Sequence, residues 1–481
     1  MPRQDQALVP KGGRRKRLIV ACDGTWLDSL NGLEKDPSMP LRGRPRDHLT
    51  MQMPSNVTRI TRAMKSESYE GISQIVYYQG GVGSSNSIVD RVVGGGLGDG
   101  LSENVREAYD FLATNYTIGD EIFLLGFSRG AFTARSIAGL IGSIGLLTKT
   151  GMRDFYAIFK DYKHENDPDY KPAYPDRPFP NKPSVKDPAY VRELDRRGLT
   201  TPNVPVKAVG VWDTVGALGV PRIGWLDSLG LNFPMKELSF DDTVVGEHVE
   251  NAFQALALDE HRQPFSPAVW EKPRGSRTYL KQVWFPGVHE NVGGGNDDTE
   301  VADIALAWMM SELHPFIDFS ETYILRQHDA NVDYYRSRKR EVRPWSFGKI
   351  VESLSGAYQL AGSKTRTPLA YHRIDPETGQ ETSSPLRNTH ESVHASVRVR
   401  YGLDGPGVDD KGRYAPRGLR DFKLIASRGD GGGRAKYVRW EARDGRVLYE
   451  DELGEVERRL LGTDPDVYDW LLKPVAKGSE R

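Results

Sequence analysis

The chain has one cysteine, Cys22, in 481 residues. That excludes an internal disulfide framework and any multi-cysteine metal centre, and it fits a reducing compartment. No apolar run approaches the ~20 residues that span a bilayer. The first 17 residues lack the apolar core of a signal peptide. Charge of one sign is not in excess either: 65 Lys and Arg face 66 Asp and Glu, so nothing global attracts nucleic acid. These absences predict a soluble cytoplasmic protein. The basic run Lys11, Arg14, Arg15, Lys16 and Arg17 is read as a flexible tail over residues 1–16 rather than a nuclear address.

What is present is the composition of a globular protein with many turns and long loops: 38% hydrophobic residues, 50 Gly and 30 Pro, and a mean hydropathy of −0.55. The length exceeds one core of ordinary size. Short apolar runs at 17–22, 75–78, 121–125, 206–212 and 279–285, bounded by charge or turn residues, read as buried strands. Helical spacing is expected after Ser102, read as an N-cap, through Val105, Tyr109, Leu112 and Tyr116. Further helices are expected over 131–147 and 300–313, and one with Val244, Val249, Phe253 and Leu256 on its core face. Strands alternating with helices predict an α/β fold: a mostly parallel sheet with helices on both faces. A core domain over 17–330 is interrupted by a Pro-rich insertion at 150–204, with seven prolines between 166 and 190. Residues 331–481 read as a loop-rich C-terminal appendage with a hairpin over 438–449 and a last helix. Its basic cluster at 336–343 reads as a solvated helix face.

The most informative segment is Gly-Phe-Ser-Arg-Gly at 126–130, after an apolar strand and before a helix rich in small residues. A serine hydroxyl attacks only when held beside a base, and a sharp strand-to-helix turn pushes Ser128 out of the sheet. Gly126 and Gly130 avoid a clash where helix crosses strand. The Arg129 backbone N–H then lies at the positive end of the helix, where an oxyanion would develop. This arrangement points to an α/β-hydrolase-type serine hydrolase. Its acid and base should follow later strands, in the order Ser, Asp/Glu, His. The strand at 206–212 runs into Asp213, and the one at 279–285 runs into Pro-Gly-Val and His289. Both residues fall at the same sheet edge as Ser128. His289 would be the base and Asp213 its orienting acid. Asp259 is the reserve acid; His248, placed on a helix surface, His261 and His394 are the competing bases. The stretch Asn296, Asp297, Asp298, Glu300 offers a weaker metal reading, because Asp298 or Thr299 serves as a helix N-cap. No cofactor and no metal are expected.

Four blocks, Cys-Asp-Gly-Thr-Trp at 22–26, Gly126 to Arg135, Val-Trp-Asp-Thr-Val at 211–215 and Phe285 to Gly295, follow one another over about 270 residues. Together they closely resemble the uncharacterised α/β-hydrolase domain family of fungi and bacteria that includes phospholipase effectors of type VI secretion. Residues 257–260 and 303–309 look like further family blocks, and 391–397 is similar to a block of fungal members. By that resemblance Ser128, Asp213 and His289 map onto the family triad. Many members follow the histidine with serine, where this chain has Glu290. Gly24 or Thr25 is the candidate for the second oxyanion donor. Asp-Gly-Thr at 23–25 also ends the motif of aspartate-nucleophile phosphatases, but Ala21 stands where that nucleophile would be.

The resemblance implies carboxyl-ester hydrolysis, with lipid or phospholipid esters as substrates. Trp225, Leu226, Leu229, Leu231, Phe233 and Met235 could line an acyl pocket or touch a bilayer, or simply pack under a cap. The rival classes are a binding or scaffold protein on an inactive hydrolase fold, and nucleotide binding through the glycines at 94–100. The first would have lost a triad member, and none is missing. The second matches neither the phosphate-loop lysine motif nor a dinucleotide fingerprint.

Overall fold

A strand covered on both faces needs no alternation of polar and apolar residues, and the apolar runs form such strands. In the computed structural model, which describes residues 15–24, 33–35, 49–51, 53–81, 97–167, 169–215, 243–353, 362–375, 381–428 and 435–472, seven strands form the central sheet. They are β1 (Lys16–Cys22), β2 (Ser73–Gln79), β3 (Glu121–Phe127), β4 (Val206–Trp212), β5 (Val249–Ala257), β6 (Tyr279–Phe285) and β7 (Glu391–Val393). Their spatial order is β2-β1-β3-β4-β5-β6-β7, and every pairing in it is parallel. The order reverses between β1 and β3, where an open parallel sheet leaves a crevice beyond its carboxyl ends.

Two hydrophobic layers sandwich the sheet. On one face Leu18, Val20, Leu124, Val209 and Val211 pack against α2 (Leu97–Asn115) and α3 (Arg129–Ile144). On the other, Ile19, Ala21, Phe123, Leu125 and Trp212 meet α1 (Asn56–Ala63) and α5 (Glu300–Leu313). The period of two within β1 assigns alternate residues to the two layers. The short helix α4 (His289–Gly293) lies between β6 and α5 in the chain. A third cluster joins Leu256, Trp284 and Val393 of the sheet to Trp440 and Leu448 of the C-terminal region. There an antiparallel sheet of Phe422–Arg428, Ala435–Ala442 and Val447–Tyr449 is followed by two helices, Glu455–Leu461 and Pro465–Leu472. The hairpin expected from 438 onward thus has a third strand, and the last helix is two. Among the described residues no helix is long and apolar enough to cross a membrane.

The segment read as a helix through Val249, Phe253 and Leu256 is instead strand β5. Residues 252–257 are buried on both faces, the polar Gln254 included, so the helical spacing of Val249, Phe253 and Leu256 does not mark a single core face. His248 therefore sits on no helix. It is part-buried just ahead of β5, with Nε2 2.8 Å from the Ala138 carbonyl, and burial lowers its pKa. Helix α2 begins at Leu97, so Ser102 lies inside it rather than at its cap, and the glycine loop expected at 94–100 is helical from residue 97.

Candidate active site

Two residues with positive φ follow strands directly: Ser128 after β3 (φ 56°) and Asp213 after β4 (φ 41°). Each is pinned by its own backbone N–H, Ser128 to the Trp212 carbonyl (3.1 Å) and Asp213 to the Ala255 carbonyl (2.7 Å). The sheet's ladder thus runs one residue past its strands, and each turn is referred to the next strand over. At Ser128 the chain turns straight into α3, and the hydroxyl makes no capping bond. Space for this turn comes from two glycines. A Cβ on Gly126 would lie 2.4 Å from the Gly130 carbonyl oxygen, and one on Gly130 would lie 2.1 Å from that of Cys22.

His289 opens α4. Its Nδ1 lies 2.6 Å from Asp213 Oδ2. An ionised carboxylate only accepts, so Nδ1 carries a proton, and in a neutral imidazole Nε2 is then the acceptor. The ring is held by aromatic contacts, Phe127 at 4.6 Å between centroids and Phe265 at 5.0 Å, edge-on at 74°. Phe127 immediately precedes Ser128 in the chain. Gly293 makes room for that phenyl ring: a Cβ there would fall 1.9 Å from Phe127 Cε2. The His289 backbone N–H donates to Glu260 Oε2 (3.3 Å). Asn291 accepts from the Val288 N–H and donates to the Lys349 carbonyl (2.9 Å), fixing the turn into the helix.

Asp213 is wholly buried. Burial by itself would raise its pKa, but Arg366 and His289 hold the carboxyl well below the ordinary range. Arg366 approaches as a fork, Nη1 2.6 Å from Oδ1 and Nη2 3.0 Å from Oδ2. The Ala257 backbone N–H supplies a further donor at 3.0 Å. Glu260, which accepts the His289 backbone N–H, is a second buried carboxylate. Burial opposes its charge, yet Arg262 pulls its pKa down to about 2, with Nη2 2.7 Å from Oε2. Arg262 also lies over the Phe265 ring, 3.7 Å from its centroid.

The other residues singled out in the sequence fall elsewhere. Asp259 accepts the Gly287 N–H (2.6 Å) and the Tyr414 hydroxyl (2.8 Å), and burial raises its pKa to about 6. It follows strand β5 and ends no helix. His261 pairs with Glu352 at 2.9 Å. His394 lies buried between Ser396 and Glu457, 2.7 Å from each. Asp298 takes the Lys349 N–H (2.7 Å) and the Tyr335 hydroxyl, while Glu300 takes the Gly348 N–H (2.8 Å). No cluster of metal-binding type occurs among the described residues. Arg129 is the first residue of α3. The Gly24 N–H is donated to Asp23 Oδ1 at 2.7 Å. Asp23 is buried, and its other oxygen receives Ser55 (2.6 Å), Thr58 (3.0 Å) and Tyr78 (2.7 Å). Thr25 and the loop from Trp225 to Met235 lie outside the described residues.

Sequence reasoning missed Arg366, Arg262, Glu260 as a partner of His289, and Phe265. Arg366 stands in Ser-Lys-Thr-Arg-Thr-Pro, where no spacing marks it, and 153 residues separate it from Asp213. The succession Asp259-Glu260-His261-Arg262 directly after an apolar run was the one available sign for the other pair.

Residues 16–312, well over half of the chain, match the sequence model of the family described as "T6SS, Phospholipase effector Tle1-like, catalytic domain". The chain belongs to that family. It is also similar to an uncharacterised protein of Saccharomyces cerevisiae, YEL023C, at 26% identity over 237 residues, 46% of this chain and 30% of that one. It thus spans about a third of that relative's length. Among solved structures, an uncharacterised protein from Pseudomonas aeruginosa aligns at 17% identity and a TM-score of 0.32, over 62% of this chain and 45% of the other.

Proposed function

We propose that the chain is a serine hydrolase that cleaves carboxyl esters, with lipid or phospholipid esters as substrates, through Ser128, His289 and Asp213. The observation that carries this reading is the 2.6 Å contact between Asp213 and His289 Nδ1. It frees Nε2 as a base in a chain where the neighbouring strand ends in a serine at positive φ. Membership of a family of phospholipase effectors supports the substrate class.

In the reaction, Nε2 takes the Ser128 proton as Oγ attacks the ester carbonyl. Asp213 keeps the ring in the required tautomer. The Arg129 N–H, at the positive end of the 16-residue helix α3, stabilises the developing oxyanion. Collapse of the tetrahedral intermediate breaks the bond to the alcohol, which leaves with the proton from Nε2. Water, deprotonated by the same nitrogen, then cleaves the acyl-enzyme to the carboxylic acid and regenerates Ser128.

The test is labelling by a fluorophosphonate probe, followed by fatty-acid release from phospholipid vesicles. Wild type should label, Ser128→Ala should not, and His289→Ala should label at least a hundredfold more slowly. A folded wild type that never labels refutes the serine mechanism. Labelling without release from vesicles, alongside rapid cleavage of soluble short-chain esters, refutes the lipid assignment.

A further inference from the structure

Arg366 does more than neutralise Asp213. The same guanidinium donates Nη1 to the Ala257 carbonyl (2.8 Å) and Nη2 to that of Phe265. It is 3% exposed, and it comes from a segment far along the chain from every other residue of the site. One planar cation therefore fixes the acid that binds the imidazole's Nδ1, the end of strand β5, and the turn whose phenyl ring stands edge-on to the imidazole. Only a fork-shaped donor reaches all of these acceptors at once; an ammonium is a point charge.

Two buried carboxylates that bond to His289, through its ring and through its backbone, are each paired with an arginine. From the end of β4 comes Asp213, balanced by Arg366. From the turn after β5 comes Glu260, balanced by Arg262. Glu290 on its own helix is exposed. Asp259 holds the Gly287 N–H, and Tyr371 is close enough to interact with both Asp213 and Arg366. Removing Arg366 leaves one uncompensated negative charge against the imidazole. That favours imidazolium, the form that cannot accept the serine proton.

We infer that Arg366 is a positioning residue for the hydrolysis: it sets Asp213 and the Phe265 turn about His289, and its charge offsets that of Asp213 beside the imidazole. This rests on the triad reading above. A simple anchor would hold the fold without touching the protonation of the base.

The experiment measures fluorophosphonate labelling rate and kcat/KM for a soluble ester against pH, in full-length wild type, Arg366→Gln and Arg366→Lys. In Arg366→Gln the acidic limb should move to higher pH by about one unit, the size a lost charge within hydrogen-bonding reach of a neighbour produces. Arg366→Lys keeps the charge but not the fork. Its limb should stay at the wild-type position while kcat falls about tenfold or more and KM changes little. An unmoved limb in a folded Arg366→Gln overturns the assignment. Should that variant fail to fold, Arg366→Lys decides: wild-type kcat overturns the assignment, and reduced kcat with an unmoved limb supports it. An unlabelled wild type instead sinks the triad reading, and the assignment with it.

Discussion

Replacing Gly293 by alanine should damage catalysis through a ring that is not itself reactive. The added methyl would sit 1.9 Å from Phe127 Cε2, 2.1 Å from Cζ and 2.3 Å from Cδ2. Ordinary contact starts at 3.4 Å, so the ring or the helix must give by 3.4 − 1.9, about 1.5 Å. Phe127 is 1% exposed and packed within a buried cluster, so overpacking of this kind costs about 1–3 kcal/mol. At ~2–4 °C per kcal/mol for a large domain, thermal unfolding should fall by several degrees. The same ring packs on His289 and belongs to the residue before Ser128. A displacement above 1 Å at reacting groups costs about 10²-fold in rate. Labelling by the fluorophosphonate should therefore slow by roughly that factor in Gly293→Ala. Truncating the obstacle tests the cause. Phe127→Leu removes the ring atoms in collision, so the double variant should be more stable than the two single losses predict. Wild-type melting and labelling in Gly293→Ala, or strict additivity in the double variant, would refute the reasoning.

Three further outcomes follow from the same geometry. Ser128→Gly should melt above Ser128→Ala, both lacking the hydroxyl, because a Cβ at φ 56° is strained by about 1–3 kcal/mol; equal melting would mean that the elbow stores no strain. Cys22 is buried at the end of β1, and burial, with Asp23 beside it, pushes its thiol up to about 12; native protein should not react with a disulfide reagent at pH 8, while urea-unfolded protein should release one equivalent. Burial raises the Asp259 carboxyl from 3.8 to about 6, so its contribution is fully present below pH 3.8 and is lost as pH rises through 6. Asp259→Asn should therefore gain on wild type in melting temperature between pH 4 and 7, and a constant difference would contradict that sign.

The legible part of the molecule was the part built from local rules. Strands β1, β3, β4 and β6 stand out because a run of apolar residues ends abruptly in Asp23, in Gly126-Phe127-Ser128, in Asp213 and in Pro286-Gly287. The same runs carry the edge of the sheet where Ser128, Asp213 and His289 stand. Strand β5 was misread because burial on both faces erases the period that separates strand from helix. What surrounds the imidazole was not legible at all. Arg366 reaches Asp213 through tertiary packing, with no motif to announce it, and Phe265 sits in a short turn, Gln263–Phe265, distinguished only by the ring it offers to His289. Local sequence encodes where a strand stops; it does not encode which distant side chain closes over the end.

The late position of two elements bears on how this protein is made. Strand β7 covers the outer edge of β6, pairing Gln282 to Trp284 with Glu391 to Val393, and Arg366 precedes it by 25 residues. A chain emerging from the ribosome exposes Ser128, Asp213 and His289 long before it exposes either. Until then the carboxylate of Asp213 has no cation, and the edge of β6 has no partner. A fragment cut where the family match ends, at residue 312, has the same two deficits. Ser128, Asp213 and His289 are thus synthesised early, and the cation and the edge strand that complete their surroundings come late.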